Sequence, residues 1–181
     1  MGHPNGVGAR LLRKEDDRFL RGKGQYIGDI SLDGTRDVAF VRSTVAHARL
    51  LGVQIPDAVR SSVFTAEDLT GVKPIRAVSP LPGFKPSEQP PLVTDKIRHV
   101  GELIAMCVAD TRAEAEDIAA QVIVDYDELP VVVDMLEAQR ADAPLVHDGW
   151  GDNVFLKIGF DGDIDAVAEK APVNVTRQVR T

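Results

Sequence analysis

The clearest structural signal lies in residues 103–126, which read LIAMCVADTRAEAEDIAAQVIVDY. The first seven of these residues are apolar at every position, which is typical of a strand buried on both faces. Thr111 and Glu114 then have the spacing of a capping box, in which each side chain bonds a free backbone amide at a helix start. Small apolar residues follow at helical spacing, and a second strand covers 122–126. We therefore predict strand, helix, strand, with the helix over 112–121.

Outward from this unit, short strand candidates alternate with turns. Apolar runs predict four more strands, at 37–43, 50–55, 62–65 and 131–133. A single helical turn entered through Thr65 and a short helix near 134–140 are also expected. Residues 74–91 hold six prolines, which predicts a long surface loop because proline lacks a backbone donor and fixes φ. The predicted fold class is α+β, a small mixed sheet with one capped helix and a second short helix.

Both ends of the chain are less regular. Four glycine and proline turn-formers make residues 1–10 a flexible arm. Charged side chains around apolar ones at 11–20 fit either a short helix or an ordered docking strap, and the strap is favoured. Later elements are predicted as a strand at 153–160, a helix at 164–171 and a period-2 strand at 173–180. Because this last alternation still runs at Thr181, we expect a cut within a longer chain.

The overall composition excludes several classes of protein. Hydrophobic residues make up 44% of the 181 residues but aromatic residues only 5%, so the core must be mainly aliphatic. A net charge of −7 argues against nucleic-acid or membrane-surface binding, because phosphate groups select for an excess of lysine and arginine. No apolar run approaches the ~20 residues of a membrane helix. With a single cysteine and no secretory signal, the expected location is the cytoplasm.

The cysteine and the histidines give no complete catalytic or metal site. Cys107 lies inside an apolar run, so we expect a buried and inert thiol rather than a nucleophile. The four histidines, at 3, 47, 99 and 147, include no pair at metal-ligand spacing. His47, in the sequence Ala-His-Ala-Arg (46–49), is the strongest candidate for a functional role among the four histidines. A structural hydrogen bond is its favoured interpretation.

Aspartates near the end of the chain imitate the start of a calcium-binding loop. They are Asp161, Asp163 and Asp165. However, Ala166 occupies the place of the required glycine, and Pro172 that of the bidentate glutamate. A turn followed by a helix N-terminus, where negative charge is stabilising, explains the three aspartates better.

Two weaker patterns complete the candidates. The glycines Gly22, Gly24 and Gly28 miss the dinucleotide-binding fingerprint by one position, and no apolar strand precedes them. The acidic run at 125–128 can in principle pair an acid with a base, but a solvated turn is the favoured interpretation. We therefore assign no catalytic, cofactor-binding or metal-binding residue to this chain.

The order of the segments, more than any single residue, resembles a known family. Residues 13–26, RKEDDRFLRGKGQY, look like the opening of the molybdenum-binding large subunit of the xanthine dehydrogenase and aldehyde oxidase family. Carbon monoxide dehydrogenase-like large subunits are the most similar members. The likeness continues in order through FVRS (40–43), AHAR (46–49), GE (101–102), VDYDELPVVVD (124–134), APLVH (143–147) and GD (162–163).

This resemblance implies a fold and a division of the chain. The family's large subunit begins with an α/β hammerhead domain, which this chain would contain. We expect a flexible N-terminal arm over 1–14, the hammerhead over 15–150, and the truncated start of the following molybdopterin-binding domain over 151–181.

The resemblance also implies a function for the whole assembly. The resemblance implies that the whole assembly is an oxidoreductase acting on aldehydes, purines, carbon monoxide or related small substrates. Molybdopterin with its molybdenum would belong to the full subunit, and 2Fe-2S and FAD to partner subunits in a homo- or hetero-oligomer. The family's catalytic motifs lie beyond this stretch, so the isolated chain is expected to be inactive and structural. A stand-alone scaffold or interaction module with the same fold is the alternative, because fold alone does not fix function.

Overall fold

The structure, a computed structural model, describes residues 12–159, 162–175 and 177. These residues form eight strands: β1 (Asp37–Arg42), β2 (Ala48–Gln54), β3 (Val63–Phe64), β4 (Ile75–Arg76), β5 (Glu88–Gln89), β6 (Lys96–Ile97), β7 (Leu103–Ala109) and β8 (Ile123–Glu128). The α-helices are α1 (Asp16–Leu20), α2 (Arg112–Ala119) and α3 (Ile164–Lys170). Single 3₁₀ turns occupy Ile27–Asp29, Ala66–Asp68, Glu137–Gln139 and Asp148–Trp150, and a six-residue 3₁₀ helix covers Asp57–Ser62.

The strands form three antiparallel sheets. The first has the order β1-β7-β3, the second β6-β2-β8, and the third is the short ladder β4-β5. The expected mixed sheet is therefore divided into small sheets whose described pairings are all antiparallel. Partner strands are distant in sequence, since Asp37 pairs with Ala109 and Gln54 with Ile123.

Strand β7 has core residues on both of its faces, as its unbroken apolar sequence predicts. Ile104 packs with Ala48 and Ile97 of the second sheet, while the next residue, Ala105, packs with Val63 in a separate cluster. Because neighbouring side chains of a strand point to opposite faces, β7 lies between two layers of apolar side chains. The central strand is confirmed.

Helix α2 begins with the predicted capping box. The Glu114 amide donates to Thr111 Oγ1 at 3.3 Å, and the Thr111 amide donates to Glu114 Oε2 at 3.1 Å. The helix packs on β1 and β7 through Ala115, which is fully buried against Ala39 and Ala109. Small residues at these positions let the helix axis approach the sheet closely. The helix ends at Ala119, two residues before the predicted end.

Several predicted elements differ from the structure. The favoured docking strap at 11–20 is wrong in part, because Asp16–Leu20 is a helix whose first turn carries two aspartates and whose last turn carries Arg18. The proline-rich loop at 74–91 contains the ladder β4-β5. The paired residues of this ladder are not prolines, so they keep their backbone N–H groups. The predicted helix near 134–140 is only a 3₁₀ turn, capped by Asp134, which accepts from two amides.

The remaining differences concern strands. Residues 131–133 and 153–159 are not paired as strands. Their apolar side chains gave the strand signal, but no neighbouring edge supplies the ladder. Helix α3 is confirmed at 164–170. Residues 173–175 and 177 lie outside any strand, and the rest of the predicted strand, like the arm at 1–10, lies outside the described residues.

Candidate functional site

The candidate residues from the sequence are separated by the fold. Cys107 lies in β7 with no exposed surface and packs against Val63, Ala105 and Val122. Burial raises the pKa of its thiol because the thiolate would lose its hydration. The protonated thiol is a core side chain, as the sequence predicts.

His47 has a structural position. It is buried, and its Nδ1 lies 2.7 Å from the carbonyl oxygen of Pro130. Since a carbonyl only accepts, Nδ1 carries the proton of this hydrogen bond. The His47 carbonyl in turn accepts from the Leu129 amide at 2.9 Å. The residue therefore fixes the exit of β8 to the entrance of β2. Its Nε2 is buried with no hydrogen-bond partner among the residues that the structure describes.

The glycines and aspartates also have local explanations. A side chain at Gly24 would meet the Phe19 ring at 2.9 Å, and Gly22 has a φ of +65°. Asp163 caps α3 by accepting from the Ala166 amide at 2.9 Å, which confirms the helix-start interpretation; Asp161 lies outside the described residues. Asp125 is exposed and accepts from Gln54.

The site that the sequence did not predict begins at a buried lysine. Lys96 in β6 is 1% exposed. Its Nζ donates to the Leu145 carbonyl at 2.9 Å and to Asp148 Oδ1 at 2.8 Å. Hydrogen bonding by Lys96 holds the pKa of Asp148 below its usual value, with the nearby charges of Lys96 and Arg49 adding to it. A buried ammonium is thus neutralised and fixes residues 145–148 on the sheet.

A second lysine and an asparagine hold the chain just beyond. Lys85 Nζ donates to the Trp150 carbonyl at 3.0 Å and to the Asp152 carboxylate. Asn153 accepts from the Val146 amide at 3.0 Å and donates to the Pro144 carbonyl at 2.9 Å. We call residues 144–155, held by these three side chains, the tethered segment.

The tethered segment forms one wall of a cleft of about 430 Å³. The side chains that line it include Ala77, Phe84, Val146, His147, Trp150 and Phe155, and we call this space the aromatic cleft. His147 stacks on Trp150 with ring centres 4.1 Å apart, and Phe84 meets Phe155 edge to face at 6.3 Å.

His147 is the titratable ring of the aromatic cleft. Burial lowers its pKa, and the positive charges of Arg98 and Lys96 lower it further. The ring is therefore neutral at pH 7. With neutral rings and aliphatic side chains on its walls, the cleft is suited to holding an apolar group.

Sequence reasoning missed this site for a physical reason. Lys96 lies 49 residues from Leu145 and 52 from Asp148, and nothing local at either position indicates the pairing. The only signal was indirect, since the segment 143–147 is one of those that resemble the molybdenum-binding subunits.

The chain is similar to proteins of known families. The profile described as "Aldehyde oxidase and xanthine dehydrogenase, a/b hammerhead domain" matches residues 21–130. The chain belongs to this hammerhead family. The matched residues include all three sheets, so the α/β hammerhead that the resemblance implied is confirmed.

Relatives of the hammerhead are large chains of oxidoreductases. The carbon monoxide dehydrogenase large chain of Hydrogenophaga pseudoflava is 35% identical over 96% of this chain and 23% of its own length. The aldehyde oxidoreductase of Desulfovibrio gigas superposes with a TM-score of 0.76 at 28% identity, covering 89% of this chain and 19% of that one. The Cu,Mo-CO dehydrogenase structure gives a TM-score of 0.65 at 36% identity, over 77% of this chain and 18% of that one.

This chain thus spans about a quarter or less of the relatives named above. Within the described ranges, no three His, Cys, Asp or Glu side chains are grouped to hold a metal ion. Among the same described residues, no helix is long and apolar enough to cross a membrane.

Proposed function

We propose that this chain is the N-terminal hammerhead portion of a molybdenum hydroxylase large subunit, and that its own contribution is structural. The observation that carries the proposal is the family match over residues 21–130. The relatives named above act on carbon monoxide or aldehydes. The complete enzyme is accordingly an oxidoreductase of aldehydes, purines, carbon monoxide or related small substrates.

Exposed apolar side chains support an embedded, structural role. Between residues 12 and 32, four large apolar side chains are at least two-thirds exposed: Leu12, Leu20, Ile27 and Leu32. The backbone hydrogen bonds of this segment join residues no more than five apart. Clustered apolar exposure of this kind marks protein–protein contact surfaces, so the segment lies across a neighbouring domain or subunit in the assembled enzyme.

The cofactors belong to the rest of the assembly in this proposal. Molybdopterin lies in the remainder of the large subunit, and 2Fe-2S and FAD lie on partner subunits of a cytoplasmic complex. The isolated chain is inactive because it supplies no catalytic residue. When bound in its own domain, molybdopterin supplies the redox chemistry.

The domain division is also part of the proposal, with one change. The expected boundary between hammerhead and following domain was at 150. Lys85 bonds Asp152, and its amide donates to the Phe155 carbonyl at 2.8 Å. These bonds favour a boundary after residue 155, with the following domain beginning beyond it and the arm preceding residue 15.

Purification of the tagged chain from cells that make the complete enzyme tests this function. We expect co-purified polypeptides, molybdenum by mass spectrometry, and dye reduction with carbon monoxide, an aldehyde or a purine as electron donor. The chain purified alone should show neither metal nor turnover. Molybdenum or turnover in the chain alone would overturn the structural role, and a chain that recruits no molybdenum-containing polypeptide would favour a stand-alone scaffold.

A variant pair tests the apolar segment within the same experiment. Leu20→Asp combined with Ile27→Asp places charge on two side chains that are 86% and 89% exposed, so the isolated chain should fold while co-purification is lost. Lys23→Asp, in the same segment, changes charge without removing apolar surface and should retain the complex. Equal recovery of the complex with both variants would contradict the contact.

A further inference from the structure

We propose that the aromatic cleft receives an uncharged aromatic side chain from the part of the large subunit that lies outside this chain. The inference rests on the proposed function, because it needs a remainder of the subunit to supply the side chain. It adds a particular contact site and the chemistry of the group that fills it.

The walls of the aromatic cleft are fixed by hydrogen bonds. Its tethered wall is fixed at three places, by Lys96 on Leu145 and Asp148, by Lys85 on Trp150 and Asp152, and by Asn153. The facing wall, which carries Ala77, is joined to Ser87 by a backbone hydrogen bond of 3.0 Å. A cleft whose walls are already fixed loses little conformational entropy when it is filled.

The lysine ammonium groups at and behind the cleft wall are already paired. The Lys85 ammonium at the cleft wall is neutralised by the Asp152 carboxylate and the Trp150 carbonyl. Lys96 is neutralised behind the wall by Asp148, and His147 is neutral at pH 7 because burial and nearby cations lower its pKa. No charge on these walls calls for a counter-ion, so a charged occupant would lose its hydration without compensation. The occupant is uncharged.

The shape and surface of the cleft suit an aromatic ring. The cleft presents ring faces and ring edges, from the His147–Trp150 stack and the edge-to-face pair of Phe84 and Phe155. Phe155 is 55% exposed, so a further ring would remove apolar surface from water and gain favourable ring–ring geometry. A volume of about 430 Å³ accommodates a large aromatic side chain together with the backbone that carries it.

The occupant comes from the remainder of the large subunit. This chain covers 23% of the carbon monoxide dehydrogenase large chain that it resembles. A subunit of that size has most of its residues outside this chain, and these residues are available to pack on the hammerhead. Aromatic side chains seated in preformed pockets are the usual anchors of protein contacts, and a tethered cleft at the end of the hammerhead is a suitable receptor for one.

Site-specific photocrosslinking in the purified complex tests the contact. Position 77 lines the cleft, whereas Val78 is 85% exposed and is not among the lining residues. With the small aliphatic diazirine amino acid photo-leucine at position 77, which does not fill the cleft as a ring does, we expect a crosslink to a peptide of the large-subunit remainder that contains an aromatic residue. The same group at position 78 should give at least a tenfold lower yield of that peptide. No crosslink from position 77, or a crosslink to a second copy of this chain, would overturn the proposal.

A filling variant gives an independent readout. Ala77→Phe places a ring in the cleft, and Val78→Phe places the same ring outside it. We expect Ala77→Phe to weaken association with the remainder by about thirtyfold, the loss typical of a blocked anchor, and Val78→Phe to leave it unchanged. Trp150 is the chain's single tryptophan, so reduced acrylamide quenching of its fluorescence in free Ala77→Phe shows that the chain is folded and the cleft is filled. Unchanged association with a filled cleft would overturn the proposal.

Failure of this contact is distinguishable from failure of the proposed function. If the purified complex contains molybdenum and turns over substrate but position 77 gives no crosslink, the contact is wrong and the function stands. If the chain recruits no molybdenum-containing polypeptide, the proposed function itself is wrong, and the contact falls with it.

Discussion

The strand core and the tethered segment are held together by different forces. The core around β7 contains fully buried apolar residues such as Ile97, Ile104 and Val63. In contrast, no residue from 129 to 159 is fully buried, and the tethered segment is fixed by hydrogen bonds from Lys96, Lys85 and Asn153. Apolar burial leaves a pattern in the local sequence. A few long-range polar bonds leave none, although they fix a wall of the aromatic cleft.

The largest effect is expected from breaking the core. Ile104 is 1% exposed and packs against Ala48, Val93 and Ile97. Ile104→Ala should lower the free energy of unfolding by about 3 kcal/mol, because it removes buried methyl groups and leaves a cavity. Urea denaturation measures the change. Ile123→Ala, at a residue that is 59% exposed, is the control and should cost less than about 1 kcal/mol. Equal losses would mean that β7 is not the centre of the core.

The two members of the Lys96–Asp148 ion pair should contribute unequally to the free energy of unfolding. Asp148→Ala leaves the Lys96 ammonium buried without its carboxylate, and the expected loss is about 2 kcal/mol. Lys96→Met should cost less, because the Asp148 side chain is 58% exposed and water can solvate it. Urea denaturation gives both values, and a larger loss for Lys96→Met would contradict this interpretation.

Hydrogen exchange separates local from global effects in these variants. The Val146 and Trp150 amides are bonded within the tethered segment and should lose protection in Asp148→Ala. Amides of β7 should keep protection that follows the global free energy of unfolding. Uniform loss in both regions would show that the segment and the core open as one unit.

The capping box of α2 contributes a smaller amount. Thr111→Ala removes the side-chain acceptor for the Glu114 amide and should lower the free energy of unfolding by about 1 kcal/mol. Thr111→Ser keeps a hydroxyl acceptor and should recover most of that loss. If the serine variant were as unstable as the alanine variant, the hydroxyl hydrogen bond would not be the cause.

The smallest expected effect is a dependence on pH. The pKa of Asp148 is lowered, chiefly by its hydrogen bond from Lys96. A carboxylate with a depressed folded pKa stabilises the fold above its unfolded pKa, and this contribution is lost as pH falls through the folded value. The advantage of wild type over Asp148→Asn should therefore be constant above about pH 5 and shrink below about pH 4. Because the side chain is exposed, we expect a change below about 1 kcal/mol.

The measurement for this last effect is a series of urea denaturations from neutral to acidic pH on the two proteins. Asp152 and Asp68 also have lowered pKa values, but they are present in both proteins and cancel in the difference. An advantage that grows on acidification would contradict the Lys96–Asp148 bond as its source.

Local sequence predicted the elements whose cause is local. The capping box at Thr111 and the apolar run of β7 encode their own structure, and both are confirmed. The strands expected at 131–133 and 153–160 show the limit of such reasoning, because an apolar run needs a free edge to pair with, and the edge depends on the whole topology. The buried state of Lys96 could not be foreseen, since lysine is normally exposed and its partners are distant.

The candidate residues also divide into those that local sequence predicted and those that it missed. Burial of Cys107 and the structural bond of His47 were predicted and are confirmed. The aromatic cleft was missed because it is formed by two loops around residues 77–87 and 146–155, which no periodicity connects. Among the sequence signals, only the family resemblance included residues of that region, at 143–147.

The pairing of β1 with β7 has a consequence for synthesis of the protein. Asp37 pairs with Ala109, so the ribosome finishes β1 several seconds before its partner exists, at about 5–20 residues per second. During that interval the apolar residues of β1 and β2 have no sheet to join, and closing such a long loop is slow. These apolar side chains therefore stay exposed until residue 128 has emerged, and slower translation between residues 64 and 103 would lengthen that exposure.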